Sequence, residues 1–557
     1  MMSTLKLHLR DVNAWGKSGE TYARGSAFRG SSLISRMGLA EMFSGERTFD
    51  GVLSLLKQLN GFFAVVHRIQ DAAFLAVDHV RAFPLFYGAA ADGFFVSDDP
   101  HWIRREISDE GVDELSAQEL LTAGFVTGCD TLSHRVKQVQ PGEALVVENI
   151  REKSHKNSVR YYEHVVGDFS QDADERLVAR LDDSLQGPFK RLIQWAHGRT
   201  IVIPLSGGSD SRLVALMLKR LGYTKLVAFS YGRPGNRESR ISERVASSLD
   251  IPWFFIAYSN ESWRKWSDSP EWEEYCKMAD GLSTVPHIQD WPAVWMLRER
   301  ALVPIDSVFV PGHLVSHILP SHAYPTSWQK SGVVEEEELV GSIWRGFYDL
   351  RDLLPSGEEE FVTLKEKIQF LVGRSPPYTT QLATEVYERW WWQSYEKFII
   401  NSVRVYEFWG YEWWLPLWDL ELARFWSRVP INHRLGKRLQ RMHLRALEST
   451  IMGRNVEEYS AGSRYISLPA KLLKATPLYS RVRGLHGRIQ YDKHPLAWYG
   501  IIPRKTYNRL YTGEKMINYY LALETLHRNY PKWRNSDPSP KLMLLNHNRL
   551  ESEERKD

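Results

Sequence analysis

The run with the clearest chemical potential is rich in hydroxyl groups and glycine: Ser206-Gly207-Gly208-Ser209-Asp210-Ser211. Its two glycines let the backbone approach a phosphate without a Cβ clash, and its three serines add hydroxyl donors. Asp210 supplies the hard oxygen that Mg²⁺ prefers. The run lacks the Gly-Lys-Ser/Thr ending of a Walker A loop. A lysine-free loop with a carboxylate suits a metal-bound pyrophosphate, which implies cleavage between the α and β phosphates of a nucleotide.

The elements that must position this loop can be predicted on both sides of it. Residues 201–205 form a short apolar strand, and residues 211–221 form a helix that Gly222 ends. The loop therefore opens a helix, where backbone N–H groups and the helix dipole favour an anion. The alternative interpretation is a Ser/Gly turn that caps a helix and binds nothing.

The chain beyond the loop continues the same alternation. Residues 225–229 and 253–256 are predicted strands, and residues 238–249 are a predicted helix with Ile241, Val245 and Leu249 on one face. Strand–helix–strand–helix–strand order predicts a parallel sheet with both faces covered.

The regions before and after this alternating segment differ in the secondary structure that their patterns predict. Short strands punctuated by Gly and Asp fill residues 1–160 and predict an all-β or α+β domain. Helical spacing begins over residues 172–196, with Asp172 or Asp174 as the expected cap, so the domain boundary is placed near 160–170. Beyond residue 270 the pattern is mainly helical.

Composition bounds the class of protein. The chain has 557 residues, a net charge of +3 and no dense basic block, which argues against nucleic acid as a partner. Two cysteines exclude a disulfide framework. No apolar run is long enough to span a membrane, so we expect a cytoplasmic protein without membrane insertion. The 21 tryptophans are interpreted as helix packing rather than as sugar-stacking platforms.

The segment PLSGGSDSR at 204–212 resembles the PP-loop of the asparagine synthetase family. That family includes β-lactam synthetase, lasso-peptide cyclases and amidotransferases of bacterial surface-polysaccharide loci. Further resembling segments are Leu59–Ala64, Asp78–Arg81, Pro84–Tyr87, Phe95–Asp98, Gln140–Gly142 and Gly410–Asp419.

This resemblance implies a fold of the α/β and α+β classes. The expected organisation is a degenerate Ntn-hydrolase-like αββα sandwich, related to class II glutaminases, over residues 1–165. A PP-loop domain, a doubly wound parallel sheet with a helical C-terminal part, follows over 166–545, and a charged tail occupies 546–557.

The resemblance also implies ATP and Mg²⁺ as cofactors, with Asp210 as metal ligand and catalytic residue. Adenine would lie near Phe229 and Ser230. The implied nucleotide-binding residues are Ser206, Gly207, Gly208, Ser209, Asp210, Ser211, Phe229, Ser230 and Gly312.

Two further catalytic residues come from the resemblance. Glu412 matches the family glutamate that lines the acyl-adenylate site and helps deprotonate the amine. Arg464 is the candidate for the positive charge that balances pyrophosphate, since no lysine aligns in the 461–465 region. Asp419 is expected to be a helix N-cap.

The segments Ser283–Trp291 and Val310–His313 resemble the polysaccharide-locus amidotransferases most closely. The implied substrate is a sugar-linked carboxylate, namely a uronic acid, with a small-molecule carboxylate as the broader class. The substrate-binding residues are then His287, Gln289, Asp290 and His313.

Three departures from the family qualify this prediction. The start, Met1–Thr4, lacks the N-terminal cysteine nucleophile, and no cysteine precedes Cys129; Ser3 or Thr4 could replace it only after unusual processing. Ser316 stands where the family carries a metal-binding aspartate, and the late lysine is missing.

These departures leave the activity open in several ways. We expect an AMP-forming amide synthetase that uses ammonia or an amine, supplied directly or by a separate glutaminase, and a homodimer is a possible assembly. The alternatives are an impaired nucleotide-binding scaffold and an intramolecular cyclase of the β-lactam or lasso-peptide type.

Overall fold

Two β-sheets lie face to face in the first part of the chain. The computed structural model describes residues 4–91, 93–148, 155–313, 328, 332–348, 350, 358–373, 377–453, 487–510 and 516–533. The first eleven strands are β1 (Thr4–His8), β2 (Trp15–Ser18), β3 (Thr21–Arg29), β4 (Ser32–Ile34), β5 (Leu59–Ile69), β6 (Ala72–Val77), β7 (Phe86–Ala90), β8 (Gly93–Ser97), β9 (Val136–Gln138), β10 (Glu143–Glu148) and β11 (His155–Arg160). One sheet has the order β1-β8-β7-β9, and the other has the order β11-β10-β6-β5-β3-β2, with β4 beside β3.

Alternation along the central strands explains why these sheets stack. In β5, Phe63 and Val65 pack against the first two helices, while Ala64 and Val66 pack against the other sheet. Successive side chains of a strand point to opposite faces, so a strand that is apolar at every position is buried on both sides. A further cluster around Ile103 joins the outer face of the four-stranded sheet to a third helix. The layers are therefore helix, sheet, sheet and helix, which agrees with the predicted αββα arrangement.

The helices follow in chain order. They are α1 (Arg36–Ser44), α2 (Phe49–Leu56), α3 (Pro100–Glu106), α4 (Glu114–Ala123), α5 (Asp174–Ala196), α6 (Ser209–Arg220), α7 (Arg237–Ser248), α8 (Asn260–Ser267), α9 (Pro270–Asp280), α10 (Trp291–Glu299), α11 (Glu336–Phe347), α12 (Glu358–Val372), α13 (Thr380–Ser394), α14 (Glu396–Ile400), α15 (Arg404–Phe408), α16 (Leu420–Ser427), α17 (Ile431–Arg434), α18 (Arg438–Met452), α19 (Arg504–Leu510) and α20 (Met516–Asn529). Among the described helices, none is long and apolar enough to cross a lipid bilayer.

A parallel sheet organises the second part of the chain. Its strands are β12 (Ile201–Pro204), β13 (Leu226–Gly232), β14 (Trp253–Ala257), β15 (Val308–Phe309) and β18 (Glu412–Trp413), in the order β14-β13-β12-β15-β18. A separate hairpin pairs β16 (Val333–Val334) with β17 (Tyr378–Thr379). The order reverses between β12 and β15, and ligands of such sheets bind beyond the strand ends at this switch point. The predicted parallel sheet is confirmed.

The helical predictions hold with two differences. Helix α6 begins at Ser209, two residues earlier than predicted, so that Asp210 and Ser211 lie in its first turn. Neither predicted aspartate caps α5, because the N-cap residue is Ala173 and it makes no side-chain hydrogen bond. Asp172 instead pairs with Arg176 and Arg180.

The tryptophan-rich segment is core, as predicted. Trp390, Trp391 and Trp392 are each at most 2% exposed, and Trp391 stacks on Trp418 with centroids 6.0 Å apart. Large aromatic side chains contribute much of the area that holds packed helices together.

Side chains of the first domain bond directly to the second. Asn60 donates to Oδ1 of Asp419 at 2.9 Å and accepts from the Leu420 backbone N–H at 3.2 Å. His79 Nε2 lies 2.7 Å from the Trp418 carbonyl oxygen. Asp419 also caps α16, as predicted, by accepting from the Glu421 N–H. The boundary proposed at 165/166 falls between β11 and α5, and the proposed tail 546–557 lies outside the described residues.

Candidate functional site at the carboxyl edge of the parallel sheet

The 206–211 loop leaves β12 at the carboxyl edge of the sheet and opens α6. The Ser206 backbone N–H donates to Ser211 Oγ at 3.0 Å, and the Gly208 N–H donates to Ser206 Oγ at 3.1 Å. These bonds hold the loop in a tight turn. Gly312 packs against it so closely that a Cβ there would lie 2.3 Å from the Ser211 nitrogen. Only glycine fits this position, which brings the end of β15 against the loop.

A cavity of about 280 Å³ opens above this turn. Eleven of the predicted site residues line it: Ser206, Gly208, Asp210, Ser211, Phe229, Ser230, His287, Gln289, Asp290, Gly312 and His313. Gly207 and Ser209 complete the loop, and the Ser209 hydroxyl donates to Asp210 Oδ1 at 3.0 Å. Segments far apart in sequence, the 206–211 loop and the stretches at 287–290 and 312–313, therefore meet at one cavity.

Two residues that the sequence prediction did not include surround Asp210. Nζ of Lys437 lies 2.9 Å from Oδ2 and 3.2 Å from Oδ1 of Asp210, and the Gln440 side-chain amide also donates to Oδ1. Lys437 precedes α18 and adopts a left-handed backbone at φ 58°. The only sequence signal for it is a Gly-Lys pair in front of a helix.

These contacts bear on the predicted metal role of Asp210. Both of its oxygens already face an ammonium or amide donor, and the described part of the chain contains no group of three His, Cys, Asp or Glu residues arranged for a metal. Hard-cation sites collect several oxygen ligands. Mg²⁺ is usually held by one or two carboxylates together with substrate phosphates, so the metal role of Asp210 stays a prediction. Ser316 lies outside the described residues.

Asp290, His287 and His313 form a second group of polar side chains that line the cavity. Asp290 is 4% exposed; its Oδ2 accepts from the Tyr406 hydroxyl at 2.8 Å, and its Oδ1 lies 3.2 Å from Nε2 of His287. Nδ1 of His313 lies 3.3 Å from the Ser402 hydroxyl. The ring of His287 is partly exposed in the cavity, so it is not a fully packed core histidine.

Glu238 is a second carboxyl that the sequence prediction missed. It lines the cavity from the first turn of α7. Burial raises its pKa, and a hydrogen bond from the Gly207 backbone N–H opposes that shift. Glu238 therefore helps to shape the loop.

The placement of Glu412 contradicts its predicted role at this site. Glu412 pairs in register with Val308, which pairs with Ile201, the first residue of β12. In parallel strands this level is the amino edge, opposite the loop. The Glu412 side chain is 54% exposed and forms an ion pair with Arg199. Arg464, the other residue predicted from the resemblance, lies outside the described residues.

Glu412 instead borders a second cavity, of about 670 Å³, between the two domains. There the Arg24 guanidinium lies over the Phe83 ring at 4.8 Å and within 3.5 Å of a Glu407 oxygen. No reactive thiol is found nearby. Cys129 is exposed in a loop, but its surroundings raise its pKa, and burial raises the pKa of Cys276 to about 12.

One segment of the chain matches a known protein family. Residues 50–162, about a fifth of the sequence, match the family described as a glutamine amidotransferase domain. No curated protein shows a significant match. This match supports an amidotransferase-type domain in the first part of the chain.

Solved structures give only distant likenesses. The NH3-dependent NAD synthetase of Campylobacter jejuni aligns over 39% of this chain and 93% of its own, at 16% identity and a TM-score of 0.19. The predicted subunit of a tRNA methyltransferase from Methanocaldococcus jannaschii aligns over 30% and 74%, at 15% identity and a TM-score of 0.15. The glutamine phosphoribosylpyrophosphate amidotransferase of B. subtilis aligns over 56% and 65%, at 11% identity and a TM-score of 0.19. TM-scores this low do not establish a common fold.

Proposed function

We propose that this chain is an ATP-dependent amide synthetase that activates a carboxylate as its acyl-adenylate and transfers it to ammonia or an amine. The observation that supports this most is the 206–211 loop, which faces a cavity that His287 and Asp290 also line; the ammonium group of Lys437 bonds to Asp210 of the same loop. Anion binding at a loop that opens a helix follows from its backbone N–H groups and the dipole.

The loop, Lys437 and two residues of β13 would each contact a different part of ATP. The loop N–H groups and the hydroxyls of Ser206 and Ser211 would hold the β and γ phosphates of ATP. Lys437 would stabilise the negative charge that develops on pyrophosphate, since preorganised positive groups at developing charge lower the barrier most. Phe229 and Ser230, in the middle of β13, line the same cavity and would face the adenine. ATP is taken as its magnesium complex, as substrate, and no step is assigned to a protein-bound metal.

The acceptor that we propose is a sugar uronic acid, in the synthesis of a surface glycan. The support is that His287, Gln289, Asp290 and His313, which belong to the segments that resemble polysaccharide-locus amidotransferases, line the same cavity as the loop. The nitrogen donor is ammonia or an amine, supplied directly or by a separate glutaminase. We also propose the Ntn-type identity of the first domain and the domain limits 1–165 and 166–545.

The experiment that tests this function is ATP–pyrophosphate exchange with a panel of uronic acids, amino acids and short peptides. Exchange that depends on one class of acid supports the proposal, and amide formation on addition of ammonium completes it. Absence of exchange with every acid contradicts it.

One observation favours a second candidate, a nucleotide-binding scaffold without turnover. Asp210 is already paired with Lys437 and Gln440, and these bonds compete with a metal for its carboxylate oxygens. ATP binding measured by calorimetry, without exchange for any acid, would support the scaffold.

A further inference from the structure

We propose that His287, oriented by Asp290, is the general base that removes the proton from the attacking amine. This inference rests on the proposed amide synthetase activity and assigns one of its steps. It gives the proton-accepting role to the carboxyl edge of the sheet, where the 206–211 loop lies, rather than to Glu412 at the amino edge.

The carboxylate of Asp290 is buried and is held by a hydrogen bond to one of its oxygens. It is 4% exposed, and the Tyr406 hydroxyl from α15 donates to its Oδ2 at 2.8 Å. This bond turns Oδ1 towards Nε2 of His287, at 3.2 Å. Within the described residues, Oδ1 is buried and has no hydrogen-bond donor that meets strict geometry in the absence of ligand. A buried carboxylate in this state favours the histidine tautomer that carries its proton on Nε2.

The backbone of the 287–290 segment is also held in place. The Tyr275 hydroxyl donates to the His287 carbonyl oxygen, and the Tyr258 hydroxyl donates to the Gln289 carbonyl oxygen at 3.0 Å. The side chain of His287 is 26% exposed and lines the same cavity as the 206–211 loop. Nε2 faces Oδ1 of Asp290 at 3.2 Å, and in the tautomer protonated on Nε2 the other ring nitrogen, Nδ1, keeps its lone pair.

The other titratable groups of the cavity are committed elsewhere. Asp210 is bonded to Lys437 and Gln440. Glu238 accepts from the Gly207 backbone N–H, and His313 contacts the Ser402 hydroxyl. A group that carries protons needs an open lone pair near the reacting atoms and a partner that stabilises its charged form. Of the histidines and carboxyl groups known to line this cavity, His287 fits both conditions best.

In the proposed step the attacking nitrogen forms a bond to carbon and loses a proton, and AMP is the leaving group. The amine nitrogen attacks the carbonyl carbon of the acyl-adenylate, and a C–N bond forms. The proton of that nitrogen passes to Nδ1 of His287, and Asp290 stabilises the imidazolium. The C–O bond to the phosphate then breaks, AMP leaves with the electron pair, and the imidazolium releases its proton to water.

The test separates adenylation from amide transfer in the full chain. His287→Asn and Asp290→Asn are compared with wild type in ATP–pyrophosphate exchange and in amide formation from ammonium and from hydroxylamine. Hydroxylamine is largely unprotonated at neutral pH and its adduct loses a proton readily, so it depends less on a base. His134→Gln is the matched control, because His134 lies 3.2 Å from Asp113, outside this cavity.

We expect His287→Asn to lose roughly 10²-fold or more in ammonium-dependent amide formation and a much smaller factor in pyrophosphate exchange, because the ring also lies in the cavity proposed for the acceptor. Hydroxylamine is expected to restore a large part of that loss, and the control is expected to match wild type. Retained exchange shows that the variant is folded.

Three outcomes would overturn the assignment. Ammonium-dependent transfer at the wild-type rate would remove His287 from the step. Equal loss of exchange and transfer would make it a substrate-binding residue. If Glu238→Gln lost ammonium-dependent amide formation but kept pyrophosphate exchange, and His287→Asn kept both activities, Glu238 would be the base. Wild type without any exchange would instead be a failure of the proposed function itself.

Discussion

Nζ of Lys437 lies 2.9 Å from Oδ2 of Asp210, although 227 positions separate the two residues in the sequence. Lys437 reaches this position from a left-handed backbone conformation, φ 58°, which costs a non-glycine residue on the order of 1–3 kcal/mol. Strain of this kind persists where the surrounding structure fixes it, and it is common at functional sites. The contact places the ammonium group of Lys437 beside the 206–211 loop, where it could replace the lysine that the resemblance led us to expect near Arg464.

Replacing Lys437 tests this role. We expect Lys437→Ala to lower kcat/KM for ATP in pyrophosphate exchange by about 10²-fold, because one preorganised donor at a developing charge is worth that much. Lys437→Arg is expected to retain part of the activity. Lys190→Ala, an exposed residue of α5, is the control. An unchanged rate in Lys437→Ala would remove the residue from the site.

Asp210→Asn is expected to abolish exchange, because it removes the carboxylate that positions Lys437 beside the loop. Residues that act as one unit are not additive. The double variant Asp210→Asn, Lys437→Ala is therefore expected to be no slower than the worse single variant, as measured by initial exchange rates. Full additivity of the two losses would show that the residues act independently.

Glu412→Gln is expected to leave exchange and amide formation within about twofold of wild type. Glu412 is 54% exposed at the amino edge of the sheet, where it pairs with Arg199, and exposed ion pairs contribute only about 0–1 kcal/mol. The test compares the steady-state rates of the variant and of wild type, with the acid of the panel that gives the fastest pyrophosphate exchange. A loss above about tenfold would restore Glu412 as a catalytic candidate.

The chain is expected to release no glutamate from glutamine. Its two cysteines are Cys129, whose pKa is raised, and Cys276, whose pKa is raised to about 12, so neither forms a thiolate easily. A coupled glutamate assay with and without ATP and an acceptor acid makes the measurement, with ammonium as the positive control for nitrogen transfer. Glutamate above background would show that another nucleophile serves the amidotransferase-type domain.

Stability is expected to fall between pH 6.5 and pH 4 because of His79. Burial lowers the pKa of His79 from 6.5 to about 4, so the folded state resists protonation that the unfolded chain accepts. The contribution is fully present above pH 6.5 and is lost as the pH falls through 4, with about 2 kcal/mol of it gone at pH 5. Urea unfolding at pH 7 and pH 5 should show a smaller loss in His79→Gln than in wild type. Equal losses would contradict the assignment.

The local pattern was sufficient to predict the parallel sheet and the loop. The alternation of apolar strands and helices over 201–257 identified β12, β13 and β14, and the Ser/Gly run located the turn at the end of β12. The residues His287, Gln289, Asp290, Gly312 and His313 line the same cavity as the loop, and only the resemblance of their segments to a family pointed to them; their role in binding a substrate stays a prediction. Strand-end positions near the switch point meet in space whatever their separation along the chain.

The sequence could not show the partners of Asp210 or the orientation of Glu412. Lys437 and Gln440 reach Asp210 only because α18 packs beside α6, and such a long-range contact leaves no trace in local spacing. Glu412 keeps its alignment with the family glutamate, but its strand register places it at the amino edge. Register depends on which strands pair, and β18 pairs with β15, which is about 100 residues earlier in the chain.

The hydrogen bonds of Asn60 have a consequence for truncation of the protein. One amide from the first domain bonds both the capping carboxylate and the first N–H of α16, and Phe62 packs on Trp413 and Trp414. If the chain were cut near residue 165, Trp413 and Trp414 would lose their contact with Phe62 and become exposed to water. The first part of the chain therefore supports the packing of the second part whatever chemistry it performs itself.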